Sequence, residues 1–398
     1  MNANRTRRDF LKHTSKAAAA VGLAPVFAPL RSLAARGPVK ITAVEPYVLR
    51  GNRCFVLVRT ADGITGIGEV SPMNPKVAAQ FISSTCAQIL IGMNALDVER
   101  CWEAVFYRTY KQGVMGLQPE ALAGIDLALW DILGKVTDLP VCELIGGKRR
   151  NSVRMYSSIG GGSTQTMDEM VRAAVSAVND GFTAVKIRMD YVSSSPDVDP
   201  KRDMQLLAQV RKAIGPNIEL LYDVNNGYTT KTAIRIGKEI ETLKVVHYEE
   251  PVAQTNYRGY AEVVAAVDIP IAAAEHEYTR WQFRDLIEQA NPAILQPDLV
   301  KCAGMTEALK IAALASTYHK LLVPHQTQPT IGQAATLHYT SVFVAGDTAQ
   351  ELNHGGMRSD LHTLFKNPLE FREGRLKVPE GPGWGLELDE AKLQAMKA

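Results

Sequence analysis

The chain lacks most of the features that mark a specialised class. Its five cysteines (Cys54, Cys86, Cys101, Cys142 and Cys302) are scattered through 398 residues with no CxxC pair. So odd and sparse a set argues against a disulfide framework and a zinc site, and the thiols read as small buried apolar groups. Charge of one sign is also lacking, with 44 Lys and Arg against 42 Asp and Glu. The small excess belongs to residues 1–35, which hold six bases (Arg5, Arg7, Arg8, Lys12, Lys16, Arg31) and one acid, Asp9. Without them the balance is 44 − 6 = 38 bases against 42 − 1 = 41 acids, a net of −3. That leaves no basic footprint for nucleic acid. No low-complexity tract is present, and a hydrophobic content of 46% over this length can bury a core and hold two domains.

Long hydrophobic runs are missing too. The apolar stretch AAAAVGLAPVFAPL is too short and too proline-broken to span a membrane. It follows Thr6-Arg7-Arg8-Asp9-Phe10-Leu11-Lys12, which resembles a twin-arginine export signal, and it precedes the small residues Ser32-Leu33-Ala34-Ala35. Residues 1–35 are therefore expected to be a cleaved signal peptide. The mature chain would begin near Arg36, exported to a bacterial periplasm without a membrane anchor.

What is present is periodic. Residues 38–70 read as two or three strands, with Ala61-Asp62-Gly63 as the turn between the last two. Helical patterns follow at about 76–91, 96–110 and 119–136, and Leu139-Pro140 opens a short further helix. This makes an α+β module over 38–148. Asp126 and Asp131 lie on its long helix and read as structural, capping or pairing with Lys or Arg. Beyond Gly146-Gly147, strands alternate with helices: VRMYSSI, AVKIRM, ELLYDV, VHYEEP, PIAAAE, AILQPDL, LLVPHQ and a segment ending near Glu351. Eight such units over 149–358 predict an α/β fold of the TIM-barrel type. The tail, 360–398, is expected to fold back on the N-terminal module without continuing the barrel.

Acids close three of the strand candidates at equal intervals. Asp223, Glu249 and Glu275 are 26 residues apart (249 − 223 and 275 − 249). In such barrels the reacting groups stand at the C-terminal ends of strands, so these three converge. Converging carboxylates repel unless a cation joins them, which implies a hard divalent ion, Mg²⁺ before Mn²⁺. Lys186 and Arg188 close the preceding strand one pleat period apart, on one face, where they can hold a substrate carboxylate. Asn225 repeats that stagger after Asp223 as a neutral substrate-binding partner. Glu250, pointing the other way from Glu249, is expected to pair with a cation, and His276 to support Glu275. Asp298 and His325 end neighbouring strands, a carboxylate raising the basicity of an imidazole that serves as general base. Glu351 on the last strand is placed to touch the substrate.

With Lys186-x-Arg188, Asp223/Glu249/Glu275, Asp298–His325 and Glu351 in this order, and AGIDLALWDILGK closing the first module, the chain resembles the enolase superfamily, and within it the mandelate racemase subgroup. The resemblance implies a modified (β/α)₇β barrel under an α+β capping domain completed by the tail. It implies a metal that binds both oxygens of a substrate carboxylate and stabilises an enediolate formed by loss of the α-proton. The loop after Glu69-Val70-Ser71-Pro72 is expected to close the pocket.

One departure carries the functional reading. The racemases of this subgroup place a lysine, their second base, where this chain has Arg188, and a guanidinium stays protonated. Dehydration of a sugar acid (aldonate or aldarate) to a 2-keto-3-deoxy acid is therefore expected, with His325 as base. The proton donor is His325 again or Lys186. The alternatives are a racemase, epimerase or cycloisomerase on the same scaffold, or an exported protein that only binds sugar acids. A homo-oligomer is expected.

Overall fold

The computed structural model describes residues 37–191, 194–353, 355 and 359–398. The twin-arginine-like segment lies outside the described residues. Residues 40–398 form one compact unit.

The N-terminal module is a three-stranded antiparallel sheet, β1 (Ile41–Leu49), β2 (Arg53–Thr60) and β3 (Thr65–Val70), in the order β1-β2-β3. The expected turn between β2 and β3 forms, with Gly63 at a φ of +78° that favours glycine. Helices Pro75–Phe81, Val98–Thr109 and Leu117–Thr137 follow. The last is buried almost all round and lies against β3 so closely that glycine is required. A Cβ at Gly66 would stand 2.1 Å from the Ala128 carbonyl oxygen, and one at Gly68 1.9 Å from that of Gly124.

The second module carries eight parallel strands, β4 (Ser152–Ile159), β5 (Ala184–Arg188), β6 (Glu219–Asp223), β7 (Val245–Glu249), β8 (Ile271–Ala273), β9 (Ile294–Leu295), β10 (Leu321–Leu322) and β11 (Gln350–Asn353). A helix follows each of the first seven, as in a (β/α)₇β barrel. Hydrogen-bonded order runs β10-β9-β8-β7-β6-β5-β4, with β11 on the other side of β4. Among the described residues no ladder joins β10 to β11. Strands buried on both faces need near-continuous apolar sequence, which the buried Val185, Ile187, Leu220, Leu221 and Tyr222 supply.

The tail folds back on the N-terminal module as expected. Buried Trp384 donates from its ring nitrogen to the Ile67 and Leu127 carbonyls (both 3.1 Å) and from its backbone N–H to Asp131 Oδ1 (3.0 Å). The tail also joins the barrel sheet, contrary to expectation. A hairpin, β12 (Phe371–Arg372) and β13 (Arg375–Lys377), pairs antiparallel with the start of β4, Leu376 opposite Val153. The first residues of β4 offer hydrogen-bonding groups to which β11, beginning opposite Met155, does not extend.

Asp126 and Asp131 are structural. Asp126 accepts from the Thr306 N–H (2.9 Å) and hydroxyl (2.5 Å). Asp131 accepts from the Ile67 N–H (2.9 Å) and pairs with Lys135 at 2.6 Å.

Candidate active site

Register across β5, β6 and β7 sets the first half of the site. Arg188 pairs with Asp223, and Asp223 with Glu249, so these three stand side by side at the strand ends. Lys186, one pleat below Arg188, is fully buried. Its ammonium lies 2.8 Å from Glu249 Oε1, 2.9 Å from Glu351 Oε1 and 3.4 Å from Asp223 Oδ2. A lone buried ammonium would shed its proton, but these acids outweigh the desolvation and hold its pKa well above the ordinary lysine value. Arg188 lies nearer the rim, its Nε donating to Asp190 Oδ1 at 2.5 Å.

The second half stands on loops. Glu275, Asp298 and His325 lie two, three and three residues beyond Ala273, Leu295 and Leu322, the last residues of their strands. His325 Nδ1 is 2.7 Å from Asp298 Oδ2 and its Nε2 is 3.1 Å from Glu275 Oε2. The structure thus joins the dyad to the third acid. Burial works against the imidazolium, yet Glu275 and Asp298 outweigh it and raise the His325 pKa.

Alternation stops where the ladders stop, and the orientation expected for Glu250 fails there. Glu250, at φ +41°, turns in beside the other acids instead of away from them. Its hydrogen-bond partner is the Asn226 amide (2.6 Å), and Lys301 is a cation that acts on it from nearby. Asn225 stands at φ +50°, just past the end of β6. Its side-chain oxygen accepts from the Asp190 N–H (2.7 Å), while its own N–H donates to Asp223 Oδ1 (2.9 Å). Asn225 buttresses the site in this arrangement. His276 supports Glu275 as expected, at 2.9 Å from Oε1.

Two further residues belong here. His247 Nε2 lies 2.7 Å from Glu249 Oε2. It stands two residues before Glu249 on β7, so the stagger that linked Lys186 to Arg188 could have found it. Buried Lys301 lies 3.5 Å from Glu275 and 3.7 Å from Asp298, and no local pattern marked it.

The donor chemistry fits a hard divalent cation. Six buried carboxyl groups (Asp223, Glu249, Glu250, Glu275, Asp298, Glu351) meet three permanent cations, Lys186, Arg188 and Lys301. Burial, and then Glu249, push the Asp223 pKa well up, and beyond the Lys186 ion pair at 3.4 Å its Oδ2 has no hydrogen-bond partner among the described residues. Among the described residues no three such groups are already gathered as a metal's ligands. Glu249 is divided between Lys186 and His247, and Glu275 between His276 and His325.

Residues 32–146 match the mandelate racemase/muconate lactonizing enzyme N-terminal domain family, and residues 169–392 the enolase C-terminal domain-like family. The chain is 32% identical over 381 residues to D-galactarolactone cycloisomerase of Agrobacterium fabrum, covering 89% of this chain and 98% of that one. It is 32% identical over 363 residues to D-galactonate dehydratase of Ralstonia pickettii, covering 89% and 93%. A mandelate racemase/muconate lactonizing protein from Paracoccus denitrificans, solved in complex with magnesium, superposes with a TM-score of 0.87 at 34% identity, covering 90% and 98%. With both modules matched and the barrel and capping sheet in place, this chain belongs to the mandelate racemase/muconate lactonizing enzyme family of the enolase superfamily.

Proposed function

We propose that the chain is a Mg²⁺-dependent dehydratase of a sugar acid, an aldonate or aldarate. The observation that carries the reading is the pairing of an intact Asp298–His325 dyad with an arginine at position 188. Asp223, Glu249 and Glu275 would hold the ion, which, when bound, neutralises the substrate carboxylate and makes its α-proton more acidic. Lys186, permanently charged in its nest of acids, would stabilise the negative charge that grows on the carboxylate oxygens. Asp298 holds the proton on Nδ1, so Nε2 of His325 carries the lone pair that takes the α-proton. The electron pair left behind expels the β-hydroxyl, which leaves as water after protonation by the His325 imidazolium. The resulting enol tautomerises to the 2-keto-3-deoxy acid. Arg188 has no role as a base here, since Asp190 and the nearby acids hold its guanidinium protonated.

A cycloisomerase is the second reading, favoured by the Agrobacterium relative and by the 3,6-anhydro-D-galactonate cycloisomerase of Zobellia galactanivorans, 30% identical with a TM-score of 0.82. The test is to incubate the Mg²⁺-loaded protein with a panel of acid sugars and lactones and to trap 2-keto acids with semicarbazide. Keto acid formed with loss of water supports the dehydratase. Isomeric product without loss of water, or α-deuterium exchange alone, overturns it. We also propose that the protein acts after export. Replacing Arg7 and Arg8 with Lys should then retain it in the cytoplasmic fraction.

A further inference from the structure

Both residues of the dyad stand on loops, and the capping domain grips both loops. On the Asp298 side, Trp102 donates to the Ala303 carbonyl (2.9 Å), and Asp126 and Trp130 hold Thr306. On the His325 side Glu69 makes a connection to the capping sheet. We propose that Glu69 is a positioning residue for catalysis, tying the His325-bearing segment to the capping sheet. The inference rests on the reading of His325 as the base.

The sequence dictates how Glu69 reaches the barrel. Gly66 and Gly68 share the face of β3 that is pressed on helix Leu117–Thr137, so alternation turns Ile67 and Glu69 the opposite way. Glu69 is fully buried, and its Oε2 accepts from the Gly332 N–H (2.9 Å) and the Thr330 hydroxyl (3.2 Å). Gly332 lies in the first turn of helix Ile331–Phe343, whose own N-cap residue, Thr330, provides no side-chain cap. A helix start leaves N–H groups unpaired and favours negative charge, and here a carboxylate from the other domain meets both demands.

The geometry continues back to the base. Gln326, next to His325, donates its N–H to Glu351 Oε2 at 3.0 Å. The segment from His325 to Gly332 is thus pinned by two carboxylates, one from the last barrel strand and one from the capping sheet. Glu69 is not a comfortable cap. Its Oε1 has no hydrogen-bond partner, and burial pushes its pKa up to about 7 against the pull of Gly332, Arg53 and Thr330. Arg53 on β2 and Asp298 are the charged groups that act on it. A buried, half-satisfied carboxyl is costly to keep, and the position of the base is what it secures.

The experiment compares wild type, Glu69→Gln and Glu69→Ala by steady-state kinetics and by amide hydrogen exchange. In Glu69→Ala, kcat should fall on the order of 10- to 100-fold from misplacement of the base. KM should stay within about twofold, because uniform binding is untouched. Exchange across 325–333 should quicken while β5, β6 and β7 keep wild-type rates. Glu69→Gln keeps an acceptor for Gly332 and should recover most of both losses. Wild-type kcat in Glu69→Ala overturns the proposal, and so does a rise confined to KM. If wild type turns over no acid sugar, the proposed function has failed, and exchange alone decides the anchoring: unchanged rates at 325–333 sink it. Should Glu69→Ala not fold, Glu69→Asp, one methylene shorter, is judged by the same outcomes.

Discussion

Asp298 and His325, 27 residues apart in sequence, meet at 2.7 Å through Oδ2 and Nδ1, while Nε2, the nitrogen proposed as the base, lies 3.1 Å from Glu275 Oε2. His325→Asn should therefore lower turnover by about 10²- to 10⁴-fold, the usual contribution of a positioned base. Asp298→Asn should lose less, since it keeps a hydrogen bond but no longer raises the basicity of the ring. Steady-state rates, with circular dichroism as a control for folding, measure both. Full activity in His325→Asn would remove the base assignment.

Arg188 stands level with Asp223 at the site's rim. Replacing it with Lys puts a group that can lose its proton where the guanidinium cannot. Arg188→Lys in deuterated water should incorporate deuterium at the α-carbon of recovered substrate more than wild type does. NMR of that substrate is the readout, and equal incorporation would count against the role given to Arg188.

Chelation should abolish turnover, and added Mg²⁺ should restore it. If the ion binds the folded chain alone, Mg²⁺ at a hundredfold its dissociation constant should stabilise the protein by about 2.7 kcal/mol. Thermal melts with and without chelator test this. Asp223→Asn should shrink the Mg²⁺-dependent shift, and an identical shift would exclude Asp223 as a ligand.

Away from the site, buried His338 is neutral, accepting from the Cys142 N–H (3.1 Å) and lying 3.3 Å from the Trp384 carbonyl. Burial is the main cause that lowers its pKa to about 4, from 6.5. Between those values the unfolded chain binds more protons, so this contribution is complete above pH 6.5 and is lost as pH falls towards 4. The shift corresponds to roughly 3 kcal/mol at most. Denaturant melts should show a flatter acid limb for His338→Gln than for wild type, and equal slopes would remove His338 from the acid response.

Much of this was legible in the chain. Apolar runs closed by acids marked β6 and β7 to their last residues, Asp223 and Glu249. The same rule misread the direction of Glu250, because pleating requires a ladder and Glu250 takes a positive φ beyond its end. The role of His247 was readable in the strand period. That of Lys301 was not, since only the folding of its loop brings it between Glu275 and Asp298.

The sequence by itself determined the number and order of the eight parallel strands, the acids at or just past their ends, and the arginine at 188, because each depends on neighbours within one βα unit. Only the tertiary structure decided that β13 would pair with β4, that Glu275 would meet His325, and that Glu69 would cap a helix 263 positions away. Such contacts join residues far apart in the chain, and no local period or propensity encodes them.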